Sequence, residues 1–544
     1  MATSPSDADT GVSLRKDGNS APPFERVLVA NRGEIAVRII RACHELGMEA
    51  VAVYSDSDVA ASHVRLADRA VRLGPAAPAD SYLRIDAIVE AALRTGAQAI
   101  HPGYGFLAER AAFARAVEGA GLVFVGPSSE TIDALGDKLH ARRIARAVGV
   151  EAVPGTQEPA PIDRADAVAL IVAEAEAIGF PLLVKAAAGG GGRGMRRVTT
   201  SIDLPSALVS GSREALAAFG DGAVYLEREI RPARHIEVQL LGDTSGHVIP
   251  LGERDCSLQR RHQKLVEEAP APDLSTQERR HLHELAVRVA TAAGLRNAAT
   301  AEFLFSPERR FYFLEVNTRL QVEHGVTELV TGLDIVREQF LLAAGRPLSD
   351  AALAAAARAA DPSSHAIEVR LSAEDPGRDF APTPGRVLRW VMPAGPGIRV
   401  DTAIEAGDRV PAEYDNLIAK IMVHAGDRGL AIDRLRRALD ETEVAGIQTT
   451  LPFHRSVARD PSFRAEQLST GWVEEHWDGP AAYADAARVA QLAAGLDAVQ
   501  VAARAGSTAV APAMTAGSAG ELRDTADSGW SRSGLETAQD RWPR

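Results

Sequence analysis

Residues 27–47 read VLVANRGEIAVRIIRACHELG, and this stretch decides the fold class. A short apolar run, VLVA, gives way to a spacing that puts Ile35, Ile39, Cys43 and Leu46 on one face of a helix from about Glu34 to Leu46, as burial against a sheet requires. The same rhythm continues with AVAVY at 50–54, a helical pattern before Thr95, AIHPG at 99–103, a further helix and LVFVG at 122–126. Apolar runs alternating with helices predict a parallel sheet with crossover connections, hence a Rossmann-like domain over 25–138. The turn after the first run holds Asn31, Arg32 and Gly33 where a dinucleotide-binding turn would carry GxGxxG.

A second unit, 139–226, contains PLLVK at 181–185 followed by the glycine run Gly189 to Gly192, Arg193 and Gly194. Beyond Tyr225 the strands lengthen and alternate: HIEVQLL at 235–241, AEFLF at 301–305 and FYFLEVN at 311–317. That pattern predicts an antiparallel sheet with one wet face, inside a third region, 227–477. The alanine-rich stretch starting at Ala351 reads as a surface helix or a linker. The expected fold class is therefore α/β and α+β, multidomain. Residues 1–24 read as a loose polar tail. In 478–544, a helix around Tyr483 to Ala505 carries the stripe Val489, Leu492, Leu496 and Val499, ahead of a Gly, Ser, Thr and Ala-rich tail expected to be disordered.

A net charge of −13 argues against nonspecific nucleic-acid binding. No apolar run is long enough to cross a bilayer and the first residues lack a secretory core, so no membrane partner is expected. Two cysteines, Cys43 and Cys256, make neither a disulfide framework nor a cysteine-rich metal site, and a reducing cytoplasm is the expected location.

The glycine run beside Lys185 has the chemistry of a phosphate cradle, since bare backbone lets N–H groups approach an anion. It does not satisfy GxxxxGK[ST], and a flexible surface loop is the competing reading. Glu302 and Glu315 fall on two runs separated by a short polar turn. Paired as a hairpin, they would face each other, and a divalent cation would relieve the repulsion with Asn317 adding an oxygen. Solvated edge-strand glutamates are the alternative. Around them lie Gln259, His262 and Lys264 in ERDCSLQRRHQK, and Arg319, Gln321, Val322 and Glu323 in LEVNTRLQVEH. A guanidinium and an ammonium can hold a planar oxyanion there, with Glu323 placed to act as a general base.

Taken together, VLVANRGEIAVRIIRACHELG, IHPGYGFLAE, FVGPSSETIDALGDK, GGGGRGM, RHIEVQLL, ERDCSLQRRHQK, EEAPAP, LEVNTRLQVEH and VRLSAEDP resemble the biotin carboxylase family of the ATP-grasp superfamily, from about Glu25 to Trp477. The resemblance implies that Lys138 and Lys185 contact ATP phosphates, with Gly191 and Gly192 of a mobile glycine-rich lid, 139–226, closing over them. It implies an adenine hinge at Glu227, Arg228, Glu229 and Ile230, and a nucleotide site lined by His235, Gln259 and His262. Glu302, Glu315 and Asn317 would hold magnesium or manganese. Lys264, Arg319, Gln321 and Val322 would bind bicarbonate, Glu323 would deprotonate it, and Arg370 would stabilise the biotin enolate. Departures are few: Ala188 and Gly325 stand where the family carries glycine and proline, and Arg228 replaces a lysine. No Met-Lys-Met occurs, so biotin is expected on a separate biotin carboxyl carrier protein, with a carboxyltransferase subunit completing an acyl-CoA carboxylase. A homodimer or larger complex is implied. The rival readings are an ATP-grasp ligase with another acceptor and a non-catalytic assembly subunit.

Overall fold

The computed structural model describes residues 21–160, 165–187 and 195–507. Residues 1–20, Ala188, Gly191, Gly192 and the segment after 507 lie outside the described residues, and so do the readings that concern them.

In the first unit, β1 (Arg26–Val29), β2 (Glu49–Ser55), β3 (Arg69–Gly74), β4 (Ala99–His101) and β5 (Val123–Phe124) form one sheet in the order β3-β2-β1-β4-β5, with every pairing parallel. The helix Gly33–Glu45 buries Ile35, Ile39 and Cys43, while Leu46 is half-buried. Its opposite side is also covered: Val37, Arg38 and Ile40 are buried where the strand Ile398–Thr402 and the helix Ile335–Ala343 pack on it. Arg38 enters that interior with its counter-charges, donating to Glu328 at 2.9 Å and Asp334 at 2.6 Å, because a buried cation without them would cost several kcal/mol. The turn after β1 is a structural clamp. Asn31 Nδ2 donates to the carbonyls of Pro102 and Tyr104 at 2.7 Å, and Arg32 pairs with Asp58 at 2.7 Å while stacking on the Tyr414 ring.

A small antiparallel sheet, β7-β6-β8, joins β6 (Leu182–Ala186), β7 (Arg196–Val198) and β8 (Val224–Arg228) beneath the helices Ala165–Ile178 and Leu204–Phe219. The body is an eight-stranded sheet: β13 (Phe311–Asn317), β12 (Asn297–Phe305), β9 (Arg234–Gly242), β10 (Val248–Arg260), β11 (Gln263–Ala269) and β14 (His365–Ser372), then Leu417–Ala425 and Ile398–Thr402. Along β9, Ile236, Val238 and Leu240 join a core with the helix Thr276–Ala292 and with Phe303 and Phe313, whose rings meet edge-on at 5.8 Å. The opposite face of β9, with His235, Glu237 and Gln239, is not wet: all nine residues are buried. Alternation marked two environments, and the second is a buried polar network. Arg254 Nη1 donates to Gln239 Oε1 and to Thr327 Oγ1, both at 2.9 Å.

The alanine-rich stretch is a helix, Asp350–Arg358, capped by Ser349 and burying Ala352 and Ala355. A long helix, Gly479–Ser507, follows Trp477, whose ring nitrogen donates to the Pro376 carbonyl at 3.1 Å. Leu492, Leu496 and Val499 on it are about two-thirds exposed; the Val489 side chain lies outside the description. At residue 325, glycine leaves room for Met422: a Cβ there would lie 2.3 Å from the Met422 sulfur. Among the described residues no helix is long and apolar enough to cross a membrane.

Candidate active site

A cavity of about 500 Å³ opens between the small sheet and the eight-stranded one. Lys138, Lys185, the segment Glu227–Ile230, His235, Gln259, His262, Glu302 and Glu315 all line it, although they come from five separate stretches of the sequence. Leu183, Met195, Leu304 and Leu314 add apolar walls, and Thr470 and Glu474 close one rim from the C-terminal region.

Each polar side chain is placed by its strand. β12 and β13 pair so that Glu302 stands directly opposite Glu315, and β9 sets Glu237 directly opposite Glu302 on the other side. Three glutamates thus stand side by side across three strands, an arrangement that repels unless cations intervene. Lys264 supplies one. Its Nζ donates to Glu237 at 2.5 Å, Glu302 at 2.9 Å and Glu323 at 2.8 Å. Lys138 pairs with Glu315, Arg254 with Glu237, and His235 Nε2 lies 3.0 Å from Glu302. Burial alone would push the Glu302 carboxyl up, but Lys264 and His235 outweigh it and hold Glu302 well below the usual carboxylate range. Glu323, wholly buried, is likewise held ionised against burial by Lys264 and Arg370.

From this row the chain of contacts runs to Arg370. Arg370 Nη2 donates to Glu323 at 2.8 Å and Nε to Glu267 at 2.6 Å. Asn317 and Gln321 both donate to Glu302, at 2.8 and 3.1 Å, and Arg319 reaches Gln321 at 2.7 Å and Glu109 at 2.9 Å. The Val322 carbonyl accepts from Lys420 at 2.8 Å, which fixes the loop before Glu323. Hence Lys264, Arg319, Gln321, Glu323 and Arg370 are joined through Glu302 into one polar network behind the cavity wall, with Val322 tied to it through the chain itself.

At the cavity's near side, Glu227 takes Lys185 and Arg142, both in buried pairs. The β10–β11 connection is the two-residue turn Arg261–His262, both with positive φ (49° and 65°). Such backbone matches the hairpin twist yet disfavours side chains, and here it delivers His262 to the cavity. Burial and the neighbouring Lys185 bring the His262 imidazole down to about 4, so it is a neutral hydrogen-bonding group.

Sequence reasoning missed Glu237, Arg254, Glu267, Glu368 and Lys420. Glu237 was visible as the residue two beyond His235, on the same face of one strand. Glu267 sits inside EEAPAP, a motif that was recognised without its acids being given work.

The donor set suits a hard divalent cation: two facing carboxylates and the amide oxygen of Asn317, beside a lysine-lined cavity. Cys256 is buried, and burial together with Glu237 pushes its thiol far up, which leaves it inert.

Comparison with known proteins adds three family matches: "Biotin carboxylase, N-terminal domain" over 23–132, "Carbamoyl-phosphate synthase L chain, ATP binding domain" over 137–351, and "Biotin carboxylase C-terminal domain" over 368–475. The chain is 48% identical to a biotin carboxylase of Pseudomonas aeruginosa, over 83% of this chain and 98% of that one. It is 48% identical to a biotin-dependent acyl-coenzyme A carboxylase alpha3 subunit of Mycobacterium leprae, over 83% and 75% respectively. The biotin carboxylase domain dimer of Hydrogenobacter thermophilus 2-oxoglutarate carboxylase, solved with MgADP, ADP and bicarbonate, superposes with a TM-score of 0.79 at 43% identity, covering 83% of this chain and 98% of that one.

Proposed function

The chain belongs to the biotin carboxylase family, and from that premise we propose that its cleft cleaves ATP to carboxylate biotin with bicarbonate by a shared set of buried charges. The observation that carries the reading is Lys264, whose single ammonium joins the Glu302 end of the cavity to the Glu323–Arg370 end. One cation bridging the nucleotide side and the acceptor side is what coupled cleavage and transfer need.

In this reading Lys138 and Lys185 hold ATP phosphates, the hinge Glu227 to Ile230 receives adenine, and His235, Gln259 and His262 complete the nucleotide site. Glu302, Glu315 and Asn317 would hold magnesium or manganese, which supplies charge neutralisation to the triphosphate. Arg319, Gln321 and Val322 bind bicarbonate with Lys264. An anion arriving there takes over hydrogen bonds from Lys264 and adds negative charge beside Glu323, so the proton affinity of Glu323 rises when it has a proton to accept. The deprotonated oxygen attacks the γ-phosphorus, the β–γ bridging bond breaks, and ADP and carboxyphosphate result. Carboxyphosphate splits to carbon dioxide and phosphate. Phosphate takes the ureido proton, Arg370 steadies the enolate oxygen, and the ureido nitrogen bonds to carbon dioxide. Residues 139–226, with Gly191 and Gly192, act as the lid that keeps water from the intermediate.

The finer assignment is a biotin carboxylase subunit of an acyl-CoA carboxylase, accepting biotin from a carrier protein, feeding a carboxyltransferase, and working as a dimer or within a larger complex. Likeness to the M. leprae subunit supports it. The comparable likeness to a 2-oxoglutarate carboxylase domain keeps a 2-oxo acid as the second reading.

The test is direct. Purified protein with MgATP, bicarbonate and free biotin should form carboxybiotin, and Glu323→Gln or Arg370→Ala should lose at least about a hundredfold of that rate. Wild-type turnover in either variant refutes the roles. Reconstitution with carrier and transferase against a panel of acyl-CoA and 2-oxo acids separates the two finer readings.

A further inference from the structure

Behind Arg370 the large sheet buries an acidic pair that the chemistry above leaves unused. Glu267 on β11 and Glu368 on β14 stand directly opposite each other, and neither is exposed at all. Glu267 Oε1 accepts from Arg370 Nε at 2.6 Å. Its Oε2, and both oxygens of Glu368, have no hydrogen-bond partner among the described residues.

Directly opposed side chains stand with Cβ atoms about 5 Å apart, where two buried carboxylates cannot both be charged on one guanidinium. The groups facing the pair are few. Lys264 comes from β11, Arg370 from β14, Glu323 from the turn before the helix His324–Thr331, and Lys420 from the strand Leu417–Ala425. Lys264 is engaged by Glu237, Glu302 and Glu323. Lys420 donates to the Val322 carbonyl and lies 3.3 Å from Glu34 and 3.6 Å from Asp401. Glu368 has instead Met422 opposite it and the bare backbone of Gly325 nearby. With no cation in contact among the described residues, Glu368 is the member that holds its proton the more firmly, and Glu267, touched by Arg370, is the one that ionises first.

Arg370 is therefore gripped from two sides, by Glu323 on Nη2 and by Glu267 on Nε. Only one grip can be permanent, since Glu323 loses its charge when it takes the bicarbonate proton. We propose that Glu267 is the positioning residue for Arg370, holding Nε from behind so that the guanidinium stays aimed at the biotin ureido oxygen while Glu323 is neutral, with the uncharged Glu368 bracing Glu267. This rests on the roles given above to Glu323 and Arg370.

The experiment measures ATP cleaved and biotin carboxylated by the same full-length protein. Glu267→Ala should cut biotin carboxylation roughly ten- to a hundredfold, as misaligned groups do, while bicarbonate-dependent ATP cleavage falls much less, so more ATP is consumed per carboxybiotin. Glu267→Gln, whose amide oxygen still reaches Nε, should restore most of the coupling. Glu267→Asp keeps the charge but withdraws the oxygen by one methylene, and should stay uncoupled. Glu368→Gln, a mimic of the protonated acid, should stay coupled. Reversal of the Gln and Asp results, or both activities falling together in Glu267→Ala and Glu267→Asp, overturns the proposal. A wild type that carboxylates biotin beside an equally coupled Glu267→Ala variant sinks this inference alone; a wild type that never carboxylates biotin sinks the reading of the cleft and this with it.

Discussion

Glu315, Glu302 and Glu237 stand side by side across β13, β12 and β9, as Glu267 and Glu368 do across β11 and β14, yet the two rows are furnished differently. The first is met by Lys138, Lys264, His235 and Arg254. Among the described residues the second has only Arg370 in contact, touching one oxygen of four. Equal geometry therefore yields opposite protonation. Where cations match the acids, charge persists in the interior; where they do not, a proton supplies the missing positive charge.

The sharpest way to break the first row is Lys264→Met, which leaves Glu237, Glu302 and Glu323 with only Arg254, His235 and Arg370 respectively among the cations described. A loss of about 3–5 kcal/mol in denaturant unfolding is expected, with carboxylation gone. Unchanged stability would mean the row is balanced elsewhere. Next in size, Glu302→Ala combined with Glu315→Ala should weaken magnesium-dependent ATP binding by more than about a hundredfold, beyond what loss of an outer contact costs. Calorimetric titration with and without magnesium reads this directly.

The smallest effect separates the rows by sign. Glu302 is depressed when folded, so the stability it contributes is present above the ordinary glutamate pKa and is lost as pH falls through the range below it. Burial, with Arg370 opposing, brings Glu267 up to about 7. Its contribution is complete below the ordinary glutamate pKa and fades as pH climbs through about 7. Between pH 5 and 8 the wild type should accordingly lose stability relative to Glu267→Gln as pH rises, read as the difference between the two thermal unfolding curves. Parallel curves would place the excess proton on another group.

Much of this was readable from spacing. The β1 and helix rhythm foretold the parallel sheet, and the polar turn between AEFLF and FYFLEVN foretold the facing Glu302 and Glu315. Glu237 and Glu267 were hidden by the same rule that exposed the strands. Alternation reports that two faces differ, and an acid on the polar face looks identical whether water or Lys264 lies above it. The double burial of the helix Gly33–Glu45 was equally illegible, because its outer cover, Ile398–Thr402, arrives hundreds of residues later. Nor could periodicity tell that Leu492, Leu496 and Val499 would face outward.

The glycine at 325 ties two distant positions into a single evolutionary step. With the Met422 thioether occupying the volume a β-carbon would need, a proline at 325 has to displace that side chain. Gly325→Pro by itself should lower the melting temperature, whereas the same change introduced together with a shorter residue at 422 should regain it. Gly325→Pro therefore depends on a change at 422, so the two positions have to change together or 422 first.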